Sequence, residues 1–294
     1  MPRLSAFVTT YNDEETIEAC LESLKWADEI VVLDSFSTDR TVEISSRYTS
    51  RVLQHRFLGY GRQKQLAMDH CTCDWVLFLD SDEILSPRLQ KEIQQLMKSE
   101  PRADGYEIAR CEQMFWKMAH PGTRHNFFLR LFRKEKTFFN TVPVHAGPET
   151  KGKIAKLRAP FLHFGERSIH EKVDKVNHYS TGLASYRIEE GKLSSPWMMV
   201  FHPPVTFLRQ YFMKRQFLNG WAGFITAVTM AFYAFMKCAK TYEHLCRQRY
   251  GSAKLPPECP RLEAPKTKES NSVPVVPVVV ATLTDAKTSA AKAA

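Results

Sequence analysis

The chain lacks the glycine-rich phosphate loops of the common nucleotide-binding enzymes. Neither G-x-x-x-x-G-K-[ST] nor G-x-G-x-x-G occurs in it, which argues against a P-loop enzyme and against a dinucleotide-dependent one. It also lacks paired cysteines. Cys71 and Cys73 are close, but no second pair completes a zinc pattern. The scattered remainder (Cys20, Cys111, Cys238, Cys246 and Cys259) reads as reduced thiols and fits a reducing compartment. No leader peptide is legible, because Met1-Pro2-Arg3 runs straight into an apolar strand and then acidic residues; the expectation is a chain on the cytosolic side. The longest apolar run, Trp221 to Met236, has 16 residues, short of the roughly 20 needed to cross a bilayer. There are no internal repeats. No recognised nucleic-acid motif accompanies the positive charge, so nucleic acid is not an expected partner.

That charge is unevenly spread. The 294 residues carry a net +9, but residues 1–100 hold 11 Lys and Arg against 17 Asp and Glu, a net −6, which leaves +15 on the rest. An acidic front and a basic back imply different partners for the two parts.

The front alternates strand and helix. Leu4–Val8, Ile30–Leu33, Val52–Gln54 and Trp75–Leu79 are apolar strand runs. Between them, Ile17, Cys20, Leu21 and Leu24 share one helical face, Ser37 or Thr38 opens a helix to about Tyr48, and a third helix runs from about Gly61 to His70. Asn12 is placed to cap the first helix, with Glu15 as its capping-box partner. Pro87 starts a fourth helix with Leu89, Ile93, Leu96 and Met97 on one face. Strands apolar on both sides and alternating with helices imply a parallel sheet covered on both faces. Ligands then bind at the carboxyl ends of the strands, so Thr9–Asn12, Asp34-Ser35 and Asp80-Ser81-Asp82 are the informative residues.

Asp80-x-Asp82 is the sharpest of these. Two carboxylates at i and i+2 in a loop can hold one hard cation, Mg²⁺ or Mn²⁺, bridging to the phosphates of a nucleotide. The competing reading is an acidic lead-in to the helix at Pro87. Asp34 can accept hydrogen bonds from a base or ribose, or simply close a turn. Tyr11 can stack on a base. Gly59-x-Gly61 followed by Arg62 and Lys64 offers phosphate contacts. Gly105–Arg110 and Phe127–Phe132 read as further strands. A helical pattern runs from His170 to about Glu190, and another from beyond Pro203-Pro204 to about Tyr250. From about 255 onward the Pro, Val, Ala, Thr and Lys-rich composition reads as disordered.

Three runs carry a family resemblance: Ser5-Ala6-Phe7-Val8-Thr9-Thr10-Tyr11-Asn12, Ala27-Asp28-Glu29-Ile30-Val31-Val32-Leu33-Asp34-Ser35, and Asp74-Trp75-Val76-Leu77-Phe78-Leu79-Asp80-Ser81-Asp82-Glu83. They resemble the family 2 glycosyltransferases. With Leu129-Arg130-Leu131-Phe132-Arg133-Lys134 and Gly220-Trp221-Ala222-Gly223-Phe224, the chain is most similar to the bacterial lipopolysaccharide inner-core enzymes of the WaaE type. The resemblance spans about residues 4–245. It implies an α/β GT-A fold, to which the basic, apolar C-terminal region adds a helical, membrane-associating extension. It also implies a nucleotide-sugar donor, of the UDP type, and inversion at the anomeric carbon. The acceptor implied is a saccharide of lipopolysaccharide or another lipid-linked glycan. By position, Thr9, Tyr11, Glu14, Asp34, Lys64 and Asp80 hold the donor, and Asp82 with Asp80 holds the metal. Relatives often carry Asp where this chain has Asn126, and Glu where it has Ala146. Glu149 is then the nearest candidate base, and His145 serves instead or completes the metal shell. Arg130 and Arg133, read as one face of a strand, are placed to meet an anionic acceptor. His163, in Leu162-His163-Phe164, reads as a core histidine.

The domain reading that follows is a catalytic domain over 1–168 (a nucleotide-sugar half over 1–100 and an acceptor half over 101–168), a helical extension over 169–250, and a tail over 251–294. The extension is amphipathic and basic, and the expectation is peripheral attachment to the anionic inner face of the cytoplasmic membrane. A buried core helix or a homo-oligomer interface is the alternative. Functional rivals are a member that binds nucleotide-sugars without catalysis, a transferase acting on polyprenyl phosphate, and a basic membrane-binding protein without donor chemistry.

Overall fold

The computed structural model describes residues 2–141, 147–192 and 195–250. His145, Ala146 and the tail from 251, with Cys259, lie outside the described residues. The first half is built as the apolar runs predict. Strands β1 (Leu4–Thr10), β2 (Glu29–Asp34), β3 (Val52–Gln54) and β4 (Trp75–Asp80) are parallel, in the order β3-β2-β1-β4. Helices α1 (Ile17–Glu22), α2 (Thr41–Ser46) and α3 (Tyr60–Asp69) connect them.

Successive residues of each strand go to opposite faces, and both faces are used. Ala6, Val8, Val32, Trp75, Leu77 and Leu79 pack with Ile17, Cys20 and Leu21 of α1 and with Leu89 and Ile93 of α4 (Pro87–Lys98). Phe7, Val31, Leu33, Val76 and Phe78 pack on the other side with Ala67 and Met68 of α3.

Beyond β4 the sheet turns mixed. β5 (Glu83–Leu85), β6 (Gly105–Met114), β7 (Lys117–Met118) and β8 (Asn126–Arg133) follow in the chain. β8 lies antiparallel between β4 and β6, with Trp75 opposite Arg133 and Leu77 opposite Leu131. β9 (Thr137–Phe139) and β10 (Pro148–Thr150) form a separate hairpin, β11 (Ile154–Lys156) pairs with β6, and β12 (Phe161–His163) joins β6 to β5. Because β8 runs backwards, its Asn126 end lies at the same edge as Asp80, and its Arg133 end lies at the opposite edge.

Two local expectations fail for one reason. Helix α1 starts at Ile17, with Thr16 at its N-cap and no side-chain cap, and α2 starts only at Thr41. Asn12 is left-handed (φ 54°), and its Oδ1 accepts from the Thr38 backbone N–H at 2.8 Å. Its own N–H donates to Ser37 Oγ at 2.8 Å. The residues that would cap the two helices instead tie the β1 and β2 loops together. Glu15 pairs with Arg167 rather than closing a capping box.

The C-terminal helices also differ from one long stretch. After α5 (Ile169–Glu189) comes α6 (Trp197–Leu208), which runs through Pro203 and Pro204 and leaves the Met199 and Val200 carbonyls without helical donors. A π-turn (Arg209–Met213) and a 3-10 turn (Gln216–Asn219) make an elbow before α7 (Trp221–Tyr250). Arg215 (φ 59°) and Gly220 (φ 62°) take the left-handed conformations that turn the chain. A Cβ on Gly223 would come within 1.9 Å of the Gln216 carbonyl oxygen, so the elbow folds back on α7 only over a glycine. By length and composition α7 is able to cross a membrane.

Candidate active site

The ends of β1, β2 and β4 meet at one edge of the sheet. Asp34, fully buried at the end of β2, accepts from the Ser37 N–H at 2.9 Å, from Ser37 Oγ, and from Gln54 Nε2 at 3.0 Å. Its carboxylate shapes the β2 loop. Thr9 lies in register between Leu33 and Asp80. Glu14 accepts from the Arg40 backbone N–H at 3.0 Å and holds the start of α2. Tyr11 is 58% exposed at the mouth of the edge, so its ring is available to a flat ligand.

Asp13, which the sequence reading passed over, ties this edge together. Its Oδ2 accepts from Thr10 Oγ1 at 2.9 Å, from the Tyr11 N–H at 3.1 Å and from Ser81 Oγ at 2.5 Å. One carboxylate thus links the β1 loop to the Asp80–Asp82 loop. No spacing rule marks it, because the partners come from two loops about 70 residues apart.

Each carboxylate of the Asp80–Asp82 pair faces a cation of the protein. Lys64 on α3 sits 2.5 Å from Asp80 Oδ1 and over the Phe78 ring, so it points into the edge rather than to solvent. Burial works against the charge on Asp80, but Lys64 and then Arg130 outweigh it and hold the group well below the usual carboxylate range. On the other side, His163 Nε2 lies 3.3 Å from Asp82 Oδ2 and its Nδ1 lies 2.5 Å from Glu112 Oε2. Burial disfavours the imidazolium, yet the two carboxylates raise its pKa to about 10. His163 also depresses Asp82 and Glu112 against their own burial. His163 is therefore part of the site and not a core histidine. Strand pairing sets it there, with β12 placing it opposite Glu83 on one side and Glu112 on the other. A Cβ at Gly165 would stand 2.5 Å from His163 Cε1 and 3.3 Å from Asp82 Oδ2, so the chain passes behind this pair only as glycine.

The donor types fit a hard divalent cation. Asp80 and Asp82 supply oxygens, and His163 presents Nε2 towards Asp82 while Glu112 fixes its other nitrogen, the usual support of a metal-binding imidazole. As they stand, with each carboxylate turned to its own cation, no three such side chains converge on one point among the described residues.

The two arginines on β8 are not a matched pair. Arg130 is buried. Its Nη2 lies 2.5 Å from Glu83 Oε1 and 3.4 Å from Asp80 Oδ2, with the guanidinium 4.1 Å from the Phe78 ring centre. It supports the carboxylates from behind and presents nothing to an acceptor. Burial, opposed by Arg130 and assisted by Asp80, pushes Glu83 up to about 7. Arg133, three residues on, takes the opposite strand face. It lies beside Trp75 and pairs with Asp104 at 3.5 Å. Five residue steps along β4 lead from Trp75 to Asp80, about 17 Å at strand rise. The two arginines therefore do not share one strand face, as the sequence reading had them. Glu149 on β10 accepts from Asn140 Nδ2 at 2.8 Å.

This arrangement agrees with what the chain is similar to. The Glycosyl transferase family 2 model matches residues 5–150. The lipopolysaccharide core biosynthesis glycosyltransferase LpsC of Rhizobium meliloti is 34% identical over 82% of this chain and 92% of its own length. An uncharacterised glycosyltransferase of Rickettsia typhi is 32% identical over 85% of this chain and 90% of its own. Among solved structures, the mannosyltransferase PcManGT of Pyrobaculum calidifontis, in complex with GDP-Man and Mn²⁺, covers 82% of this chain and 87% of its own at a TM-score of 0.50 and 15% identity, a likeness of fold. With its parallel half-sheet closed by an antiparallel strand and its carboxylates at the strand ends, the chain has the GT-A fold and belongs to glycosyl transferase family 2.

Proposed function

We propose that this glycosyltransferase moves a sugar, with inversion, from a UDP-type nucleotide sugar to a saccharide of lipopolysaccharide core or a related lipid-linked glycan. The observation that carries the donor half is the meeting of Lys64–Asp80 and His163–Asp82 at one edge of the sheet. Similarity to LpsC over 92% of that protein supports the acceptor class.

Asp80, Asp82 and His163 would hold a divalent cation, which when bound neutralises the diphosphate and favours departure of its oxygen. Lys64 supplies a second positive charge beside the same phosphates. Tyr11 offers its exposed ring to the base. Thr9, Glu14 and Asp34 keep the loops that frame the nucleotide in place. In the displacement the acceptor oxygen attacks the anomeric carbon as the bond to diphosphate breaks. The hydroxyl proton passes to a base, for which Glu149 is the candidate; His145 lies outside the described residues.

A thermal-shift screen of UDP, GDP and their sugars, with and without Mn²⁺, tests the reading. UDP with Mn²⁺ at about 100 times its dissociation constant stabilises the fold by about 2.7 kcal/mol, a rise of several degrees. No rise with any nucleotide, metal present or absent, would overturn the donor site. Transfer to a truncated lipopolysaccharide acceptor then tests the second half.

A further inference from the structure

The helix α6 is apolar and unburied. Its sequence, Trp197-Met198-Met199-Val200-Phe201-His202-Pro203-Pro204-Val205-Thr206-Phe207-Leu208, contains no acid and no lysine or arginine, and none of its 12 residues is buried. The exposed apolar side chains continue through the elbow as Phe212, Met213 and Phe217 to Trp221, which at 76% is the most exposed of them, and less exposed ones (Phe224, Val228, Phe232, Phe235) follow along α7. Patches of this extent on a folded chain mark a surface that something else covers.

The charge around the patch says what covers it. Between Glu190 and Glu243 there is no carboxylate, while Lys192, Arg209, Lys214, Arg215, Lys237 and Lys240 are all basic. Some of these cations are used internally. Lys214 donates to Asn126 Oδ1 at 2.8 Å, and Lys240 donates to Asn177 and Ser180 of α5. Arg209 and Arg215 are exposed at the elbow and have no side-chain partner among the described residues. We propose that α6 and the elbow at 209–221 form a docking surface for an anionic lipid bilayer, lying in its headgroup layer. Aromatic rings beside unpaired arginines suit that layer, where the apolar face enters the acyl boundary and the cations meet phosphates. A second copy of the chain would set this wholly basic patch against itself, which like charges oppose.

A simple crossing by α7 fits less well, despite its length. Ala222, Ala227, Ala234, Cys238 and Thr241 on one side of α7 are buried within the protein, and Lys240 is bonded to the polar helix α5. Insertion would drag the charges of α5 into lipid.

The elbow is fastened to the catalytic edge. The Arg124 N–H donates to the Lys214 carbonyl at 3.1 Å, the His120 N–H to Asn219 Oδ1 at 2.7 Å, and Asn219 Nδ2 to Thr123 Oγ1 at 2.9 Å. These bonds hold the loop that leads into β8 at its Asn126 end, the end beside Asp80. Docking the elbow therefore brings the Asp80 edge to the lipid surface, where a lipid-anchored saccharide would be presented.

The test is flotation of the full chain with vesicles of phosphatidylcholine alone and with 30% phosphatidylglycerol, together with quenching of tryptophan by brominated acyl chains. The expected result is binding to the anionic vesicles only, quenching there, and weakening by tenfold or more in R209E/R215E. The variant F212S/W221S should lose the share of the quenching that Trp221 contributes, W197S/W221S should lose it altogether, and all these variants should keep the wild-type melting temperature, since these side chains are exposed. Equal binding to neutral and anionic vesicles, no binding to either, or a lipid-free dimer that F212S/W221S dissociates would each overturn the proposal. Nucleotide-induced thermal shift, measured on the same samples without lipid, reports the donor site alone, so a failure of docking and a failure of the transferase reading are told apart.

Discussion

Strand β4 and helix α6 are built from similar residues and end in opposite surroundings. Trp75-Val76-Leu77-Phe78-Leu79 is buried throughout, enclosed by α1 and α4 on one side and α3 on the other. Trp197 to Leu208 has no buried residue. Hydrophobicity alone does not distinguish the two. The neighbours do: β4 lies between β1 and β8 with both faces covered, whereas α6 rests on α7 along one side and leaves the rest open. In the first region apolar residues stabilise the fold and position Asp80. In the second they cost the isolated chain nothing in packing and remain free for lipid.

The widest separation between the regions should appear in catalysis. Asp82→Ala is expected to lower kcat/KM for transfer by about 10³-fold, the scale of losing one charge-stabilising group in a transition state. R209E/R215E should leave transfer to a short soluble acceptor within about twofold. Loss of that activity in the elbow variant would erase the distinction. In stability the contrast is smaller. Leu77→Ala, in the middle of β4, should cost about 3 kcal/mol in urea unfolding, while Phe201→Ala on α6 should stay within about 0.5 kcal/mol. Equal costs would mean that α6 is packed in solution.

The same contrast governs how much was legible in the sequence. Buried parallel strands read as continuous apolar runs, and the rule that ligands lie at strand ends then singled out Asp34 and Asp80–Asp82, which the structure brings to one edge of the sheet. What stayed hidden depends on pairing between distant segments. His163 looks like any histidine between two apolar residues until β12 sets it between Asp82 and Glu112. Asp13 gains its three hydrogen bonds only once the β1 and β4 loops meet. The helical stretch from 197 to 250 contains its own break, but Arg215 is not a residue whose left-handed turn a sequence announces. Strand periodicity, applied strictly, separates Arg130 from Arg133, since three residues along a strand reverse the face.

The charged cluster behind the Asp80 loop yields a pH signature that the helical region should lack. His163 titrates near 10 in the folded chain against an ordinary 6.5, so its bound proton stabilises the fold fully below about pH 6.5. That contribution is lost as pH rises towards 10, at about 1.4 kcal/mol per unit. The depressed carboxyls of Asp82 and Glu112 act in the opposite range, losing their contribution as pH falls into the acid region. Urea unfolding with chelator present should therefore show an alkaline decline in wild type that flattens in His163→Gln. An unchanged slope in the variant would place the titrating group elsewhere.

The smallest effect is expected at Arg133, and it decides between the reading from sequence and the placement in the fold. If Arg133 met an anionic acceptor, Arg133→Ala would raise the acceptor KM by tenfold or more. In the structure it lies at the far edge of the sheet, half-exposed, 3.5 Å from Asp104 and 5.1 Å from the Trp75 ring centre. Lys136 also reaches Asp104 at 2.8 Å and keeps that carboxylate paired when the arginine is gone. What the substitution removes is a screened surface pair and a partly exposed cation–π contact, together about 1 kcal/mol or less. The acceptor KM should stay within about twofold while urea stability falls slightly. A large KM effect with intact stability would show that the acceptor reaches the Arg133 edge, and would move half of the site to the other end of β4.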